Sequence, residues 1–244
     1  MKPNPVSTQS PAALPAGDAT VAPALPRRRL PRLSGAGLVG LLLVLFWAVV
    51  AVAGPWLAPH DPNALVSDDF FGPLSLEYPL GSDYLGRDIL SRLLQGAPYT
   101  IGVALLATVL ACVAGVVLAL VAAASGGWLD ALISRTQDAL IAIPNKIFAL
   151  LMVASFGSSV PLLLLMAAFA YMPGSFRIAR AVAVNLMTMD FVQVARTRGE
   201  GMAYIIFIEV LPNMLRPVLT DFGLRFVYVV LLLSAMSFLG LGIQ

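Results

Sequence analysis

Charge is scarce in this chain. Only 11% of its 244 residues are charged and 59% are hydrophobic, whereas soluble domains are usually about 25% charged. A water-soluble core cannot absorb so much apolar surface, so the solvent must be lipid. Cysteine is nearly absent: Cys112 stands alone, which excludes an internal disulfide and any cysteine-based metal cluster. His60 is the single histidine, leaving little for histidine catalysis or metal binding. No Gly-x-x-x-x-Gly-Lys-Ser/Thr stretch occurs, so the chain carries no recognisable phosphate cradle for ATP. No catalytic Ser/His/Asp or metal set is evident either. Aromatics are missing from residues 1–34, which are rich in Pro, Ala and Ser. Such a segment cannot bury enough surface to fold and is expected to be a disordered cytoplasmic tail.

Long apolar runs are what the chain has in abundance. A membrane span needs about 20 mostly apolar residues. Five segments qualify, at roughly 35–54, 98–123, 131–156, 160–180 and 215–242. The fold class is therefore all-α, a polytopic transmembrane helical bundle, with residues 35–244 as its membrane domain. The first run is too long, and ends too abruptly in "GPWLAPHDP", for a cleaved signal. Lys2, Arg27, Arg28, Arg29 and Arg32 precede it, while the loop at 55–97 is dominated by Asp61, Asp68, Asp69, Glu77, Asp83 and Asp88. Positive residues stay inside. The N-terminus is thus expected in the cytoplasm, 55–97 outside, and the segment at 184–213 inside. "GSSVP", at 157–161, is short enough to form only a tight hairpin.

The cytoplasmic segment "FVQVARTRGEGMAYIIFIEVLPN" is too elaborate for a turn. Phe191, Val194, Ala195 and Arg198 repeat at helical spacing, as do Met202, Ile205, Ile206 and Val210. Two short amphipathic helices are expected, jointed at Gly199 and Gly201. Pro212 is expected to stop the second before the last span begins. A peripheral helix resting on lipid headgroups would need no such joint.

Outside, "GSDYLGRDILSRLLQG" reads as a separate external helix capped by Ser82 or Asp83. Ile89, Leu90, Leu93 and Leu94 make one apolar face, and Asp88 and Arg92 are spaced for an i,i+4 pair. Its bland role is a structural collar; the sharper one is a landing surface for an external binding protein. In the second span, Gly102, Ala104, Ala107, Ala111, Ala114 and Gly115 suit close helix packing. Cys112, Met152, Met166 and Met172 read as packing residues.

The third span is unusually polar. Arg135, Asp138, Asn145 and Lys146 fall within about a 100° arc of a continuous helix. Intramembrane charges normally face a bundle interior or wet cavity, so these four are pathway candidates. The static alternative is an Arg135–Asp138 pair that only holds helices together. Pro144 removes a backbone hydrogen bond and marks a kink or hinge.

Two stretches resemble a known family. Gln193-Val194-Ala195, Gly199 and Leu211-Pro212 resemble the EAA motif of ABC importer permeases, with Ala195, Gly199, Leu211 and Pro212 matching. Gln193 stands for the usual Glu, and Val194 for the first Ala. "YPLGSDYLGRDILSRLLQGAPYTIGVAL" resembles the signature "HPLGTDxLGRDxxSRxxxGARxSL" of the dipeptide, oligopeptide and nickel permeases. It carries Gly81, Asp83, Gly86, Arg87, Asp88 and Arg92 in register. "FLGLGIQ" resembles that family's "FLGLGxQ". The resemblance implies a type I ABC importer permease fold, with a sixth span in the whole protein. It implies that Val192, Gln193, Val194, Ala195, Arg196, Gly199, Glu200, Gly201 and Met202 belong to a coupling helix that docks on an ATPase. It also implies two ATP-binding subunits holding ATP and Mg, a second and different permease, and an extracytoplasmic substrate-binding protein. No cofactor is expected on this chain, no nucleic acid, and membrane lipid all round. The expected site is the bacterial inner membrane. Rival readings are an ion-gradient-driven transporter using Asp138 and Lys146, and a membrane scaffold that recruits a signalling partner.

Overall fold

The computed structural model describes residues 34–65 and 71–242. The expected tail at 1–34 except Ser34, the acidic Asp68 and Asp69, and the last two residues of "FLGLGIQ" lie outside them. Contacts divide the chain into two units, 1–42 and 43–244. In the first, residues 35–42 are helical. In the second, the described residues are helices and loops, with one isolated bridge between Ser82 and Asp88.

Among the described residues eight α-helices follow one another: α1 Gly35–Leu57, α2 Ile89–Ser125, α3 Gly127–Ile141, α4 Asn145–Phe156, α5 Val160–Met187, α6 Asp190–Thr197, α7 Met202–Tyr204 and α8 Leu211–Phe238. A π-helical turn, Ile205–Val210, joins α7 to α8. By length and composition four runs can cross a membrane, α1, α2, α5 and Met202–Phe238. The α3–α4 pair makes a fifth if counted as one broken span.

The core is built on α2, α5 and α8. Ala104, Ala107, Ala111, Cys112 and Gly115 are all buried on one face of α2. At Gly115 a Cβ would lie 2.8 Å from Phe176 N and 3.0 Å from Met172 O, so α5 can approach only because no side chain intervenes. One apolar cluster joins α2, α4, α5 and α8 around Val103, Val153, Leu163, Met166 and Val229. A second joins α2, α5, α6, the π turn and α8 around Leu120, Phe176, Met187, Val192, Ile205 and Met214. In α1, by contrast, the most apolar stretch is unburied, and only Gly54 is buried.

Three expectations need correction. The external helix is not separate: α2 runs unbroken for 37 residues, about 55 Å at 1.5 Å per residue. It starts later than expected, because residues 81–88 fold into a loop of their own. The third span is not one helix: α3 and α4 meet at 81°, with Pro144 in extended geometry at the start of α4. Nor does Pro212 stop a helix. It sits in the first turn of α8, where the missing N–H is tolerated after the looser π turn. The Asn213 side-chain amide donates to Glu209 O at 2.6 Å.

Candidate functional site

The segment at 190–211 is anchored on one side and open on the other. Val192 and Ala195 are buried against Met187, Ile205 and Met214. Gln193, Val194, Arg196 and Arg198 are exposed. Asp190 in the first turn and Arg196 in the last complement the dipole of α6.

The end of α6 is a complete Schellman motif. Glu200 N donates to Ala195 O at 3.2 Å, and Gly199 N to Arg196 O at 3.0 Å. Gly199 has φ +80° with open space where a Cβ would go, so backbone conformation alone demands glycine. Gly201 differs: its φ of −70° is extended backbone at the start of α7, and the joint therefore has one left-handed residue, not two. Met202 is exposed, and Glu200 pairs with Arg198 at 3.4 Å. The second arm is no separate helix but the beginning of the run to Phe238. Ile205 and Val210 are both buried. Five residues apart on an α-helix they would diverge by about 140°; the π turn returns them to one side.

The four polar residues of the third span do not form one face. The bend between α3 and α4 separates Arg135 and Asp138 from Asn145 and Lys146. Arg135 and Lys146 are exposed, and Asn145 is half-buried. Asp138 pairs with Arg177 of α5 at 2.8 Å, not with Arg135. Beside it Arg180 grips Asp130 in both directions of its fork, at 2.6 and 2.5 Å. These two ion pairs tie α3 to α5. Their signal was in the spacing: Arg177 and Arg180 share a helical face, as do Asp130 and Asp138.

A buried ion pair in α8 was not expected from the sequence. Arg225 Nε lies 3.1 Å from Asp221 Oδ1, with side chains 16% and 4% exposed. The guanidinium occupies the notch left by Gly174 on α5, where a Cβ would be 2.3 Å from Nη1. The i,i+4 spacing in "DFGLR" was the available sign.

On the opposite loop the motif residues mostly hold each other. Asp83 Oδ1 accepts from Leu85 N at 2.8 Å and Arg87 N at 3.0 Å. Gly81 and Gly86 are left-handed, at φ +74° and +72°, and a Cβ on Gly81 would meet Gly72 O at 2.4 Å. Asp88, not Ser82 or Asp83, caps α2, accepting from Leu90 N and Ser91 N. It also takes the Ser91 hydroxyl at 2.5 Å and lies 3.2 Å from His60 Nδ1. Arg92 pairs with Asp83 instead of Asp88. Burial pushes the Asp83 carboxyl up, but N–H groups of Arg87 and Leu85 and the Arg92 guanidinium outweigh it and hold it below the usual range.

Comparison with known proteins gives these features a family. Residues 115–244 match the family described as binding-protein-dependent transport system inner membrane component. The di/tripeptide transport system permease protein DppC of Pseudomonas aeruginosa is 34% identical over 214 residues, covering 85% of this chain and 70% of that protein. The Escherichia coli dipeptide transport system permease protein DppC is 36% identical over 214 residues, with the same coverage. The probable D,D-dipeptide permease DdpC of E. coli is 30% identical over 224 residues, covering 87% and 75%. These matches support an importer subunit over an ion-gradient-driven carrier, in a multi-pass membrane protein of a multi-subunit ABC transporter. The chain belongs to the binding-protein-dependent inner membrane components and is a permease subunit of an ABC importer of the dipeptide/oligopeptide type.

Proposed function

We propose that this subunit forms half of a translocation path for peptides or similar small solutes, and is driven through the 190–211 elbow by ATP-binding subunits. The carrying observation is the two-sidedness of α6. Val192 and Ala195 fasten it to the bundle, leaving Gln193, Val194, Arg196 and Arg198 outward for a partner. Behind it α5 and the run into α8 are both core helices, so a push on α6 reaches two spans at once. That is a lever for alternating access. In this reading the N-terminus and elbow are cytoplasmic. ATP and Mg sit on two partner ATPases, and this chain supplies no cofactor. A second, different permease completes the path. An external binding protein lands on the 55–97 loop and, with the motors, sets direction. The relatives named for dipeptide and di/tripeptide transport support peptides as cargo.

The test is co-purification. The tagged chain, gently solubilised from its native membrane, should bring ATP-binding subunits with it. Gly199→Val forces a β-branched residue into left-handed backbone, at about 1–2 kcal/mol. Recovery of those subunits should then fall about tenfold, with membrane insertion unchanged. An inserted parent that brings none would sink the proposed coupling.

A further inference from the structure

At the end of the bundle that carries the 55–97 loop, α2 and α8 border a half-open chamber of about 610 Å³, with Arg92, Tyr99, Thr100, Ser234 and Ser237 exposed at it. Arg92, Gln95 and Tyr99 line it from α2 at helical spacing, with Thr100 beside them, and Ser234 and Ser237 line it from α8. Two apolar helices thus turn polar stripes toward one space. Leu163 and Leu233, 1% and 4% exposed, form its apolar part. The side chains of Gln95, Tyr99, Thr100, Ser234 and Ser237 make no hydrogen bond to any described residue. Arg92 engages one nitrogen with Asp83, leaving most of its five N–H donors unused. Polar groups in or beside a span are costly unless they meet a partner, water or solute. The lining contains one cation and no acid, and the volume lies within the range of small-molecule sites, about 300–1,000 Å³.

We propose that this chamber binds the carboxylate end of a small peptide-like solute. The Arg92 fork takes the carboxylate in two parallel hydrogen bonds. The hydroxyls of Thr100, Ser234 and Ser237 and the Gln95 amide meet the solute's backbone groups. Asp83 holds the Arg92 side chain over the chamber from outside the lining. The proposal rests on the peptide-cargo reading above and adds a recognition site to it.

The test uses the assembled transporter in membranes, with Cys112→Ser to remove the single cysteine and Ser237→Cys to report from the chamber. Rates of modification by an anionic and a cationic methanethiosulfonate are compared, each relative to a free thiol. The anionic reagent should react several-fold faster. Arg92→Gln should abolish that preference. Asp83→Asn removes the opposing charge, still offers an amide oxygen to Arg92 and keeps the cation, and should retain the preference. Alanyl-alanine should slow the modification at least threefold, and alanyl-alanine amide should not. An absent anion preference, one that survives Arg92→Gln, or equal protection by acid and amide would overturn the proposal. Protection by the binding protein without peptide would also overturn it, by assigning the chamber to a protein loop. Alanyl-alanine uptake is measured separately. A parent that shows no uptake but keeps the Arg92-dependent preference refutes the peptide reading alone.

Discussion

Asp88 serves two structures at once, as the cap of α2 and as the anchor of the loop that reaches it through His60. Burial raises its carboxyl, but the Ser91 hydroxyl, His60 and the N–H groups of Leu90 and Ser91 outweigh burial and hold it below the usual range. A lowered native value contributes stability above the unfolded pKa, near 4, and that contribution is lost as pH falls through the native value. Asp88→Ala should cost about 1 kcal/mol through the cap and expose residues 72–87 to proteolysis at neutral pH. The difference from the parent should hold to about pH 5 and shrink below about pH 4. A difference that stays flat into strong acid would contradict this role. Residue identity was legible here and residue partnership was not. The motif "GSDYLGRD" offers two aspartates, each with suitable N–H groups ahead of it. Which one caps, and which one takes Arg92, follows from the Ser82–Asp88 bridge, a closure that local spacing does not encode.

Single helices show the limits of averaging. The run Met202–Phe238 is apolar enough to pass as a span, although it carries Asp221 and Arg225. Their pairing inside the bundle makes a sharp prediction. Asp221→Asn strands the Arg225 charge in the notch beside Gly174 and should cost about 3–5 kcal/mol. Adding Arg225→Gln should recover most of it, read by thermal unfolding in detergent. If the double variant is no better than the single, charge pairing is not what the site supplies. The elbow was half legible for the same reason. Periodicity located α6 and its left-handed Gly199, because cap signals are local. It could not show that the second arm continues into α8, since Pro212 ordinarily ends a helix and the π turn leaves no mark in apolar spacing. Similarly, Pro144 announced a break, but the 81° turn and the ion pairs to α5 are tertiary choices.

At the scale of the whole bundle, the order of the apolar runs was readable, with five of them if the bent α3–α4 pair counts as one, and so was the small-residue stripe of α2 apart from Gly102. Gly115 tests how much that stripe matters. Gly115→Val places a side chain against the α5 backbone and should cost about 1–3 kcal/mol, lowering the yield of folded chain in detergent. Gly102→Val on the same helix meets nothing within 4 Å of its Cβ and should leave the yield unchanged. Equal loss in both would mean that something other than the α2–α5 approach is being measured. The π turn bears on how such a bundle tolerates changes of length. Wound as an ordinary α-helix with every residue kept, 205–210 would carry α6 about 100° further around the axis of α8, whereas deleting one residue there would absorb that turn. The bearing of the elbow is therefore set by a count of residues as much as by their identity. A single-codon deletion there would keep the handle on its neighbour, and a single-codon insertion would aim it at the wrong one.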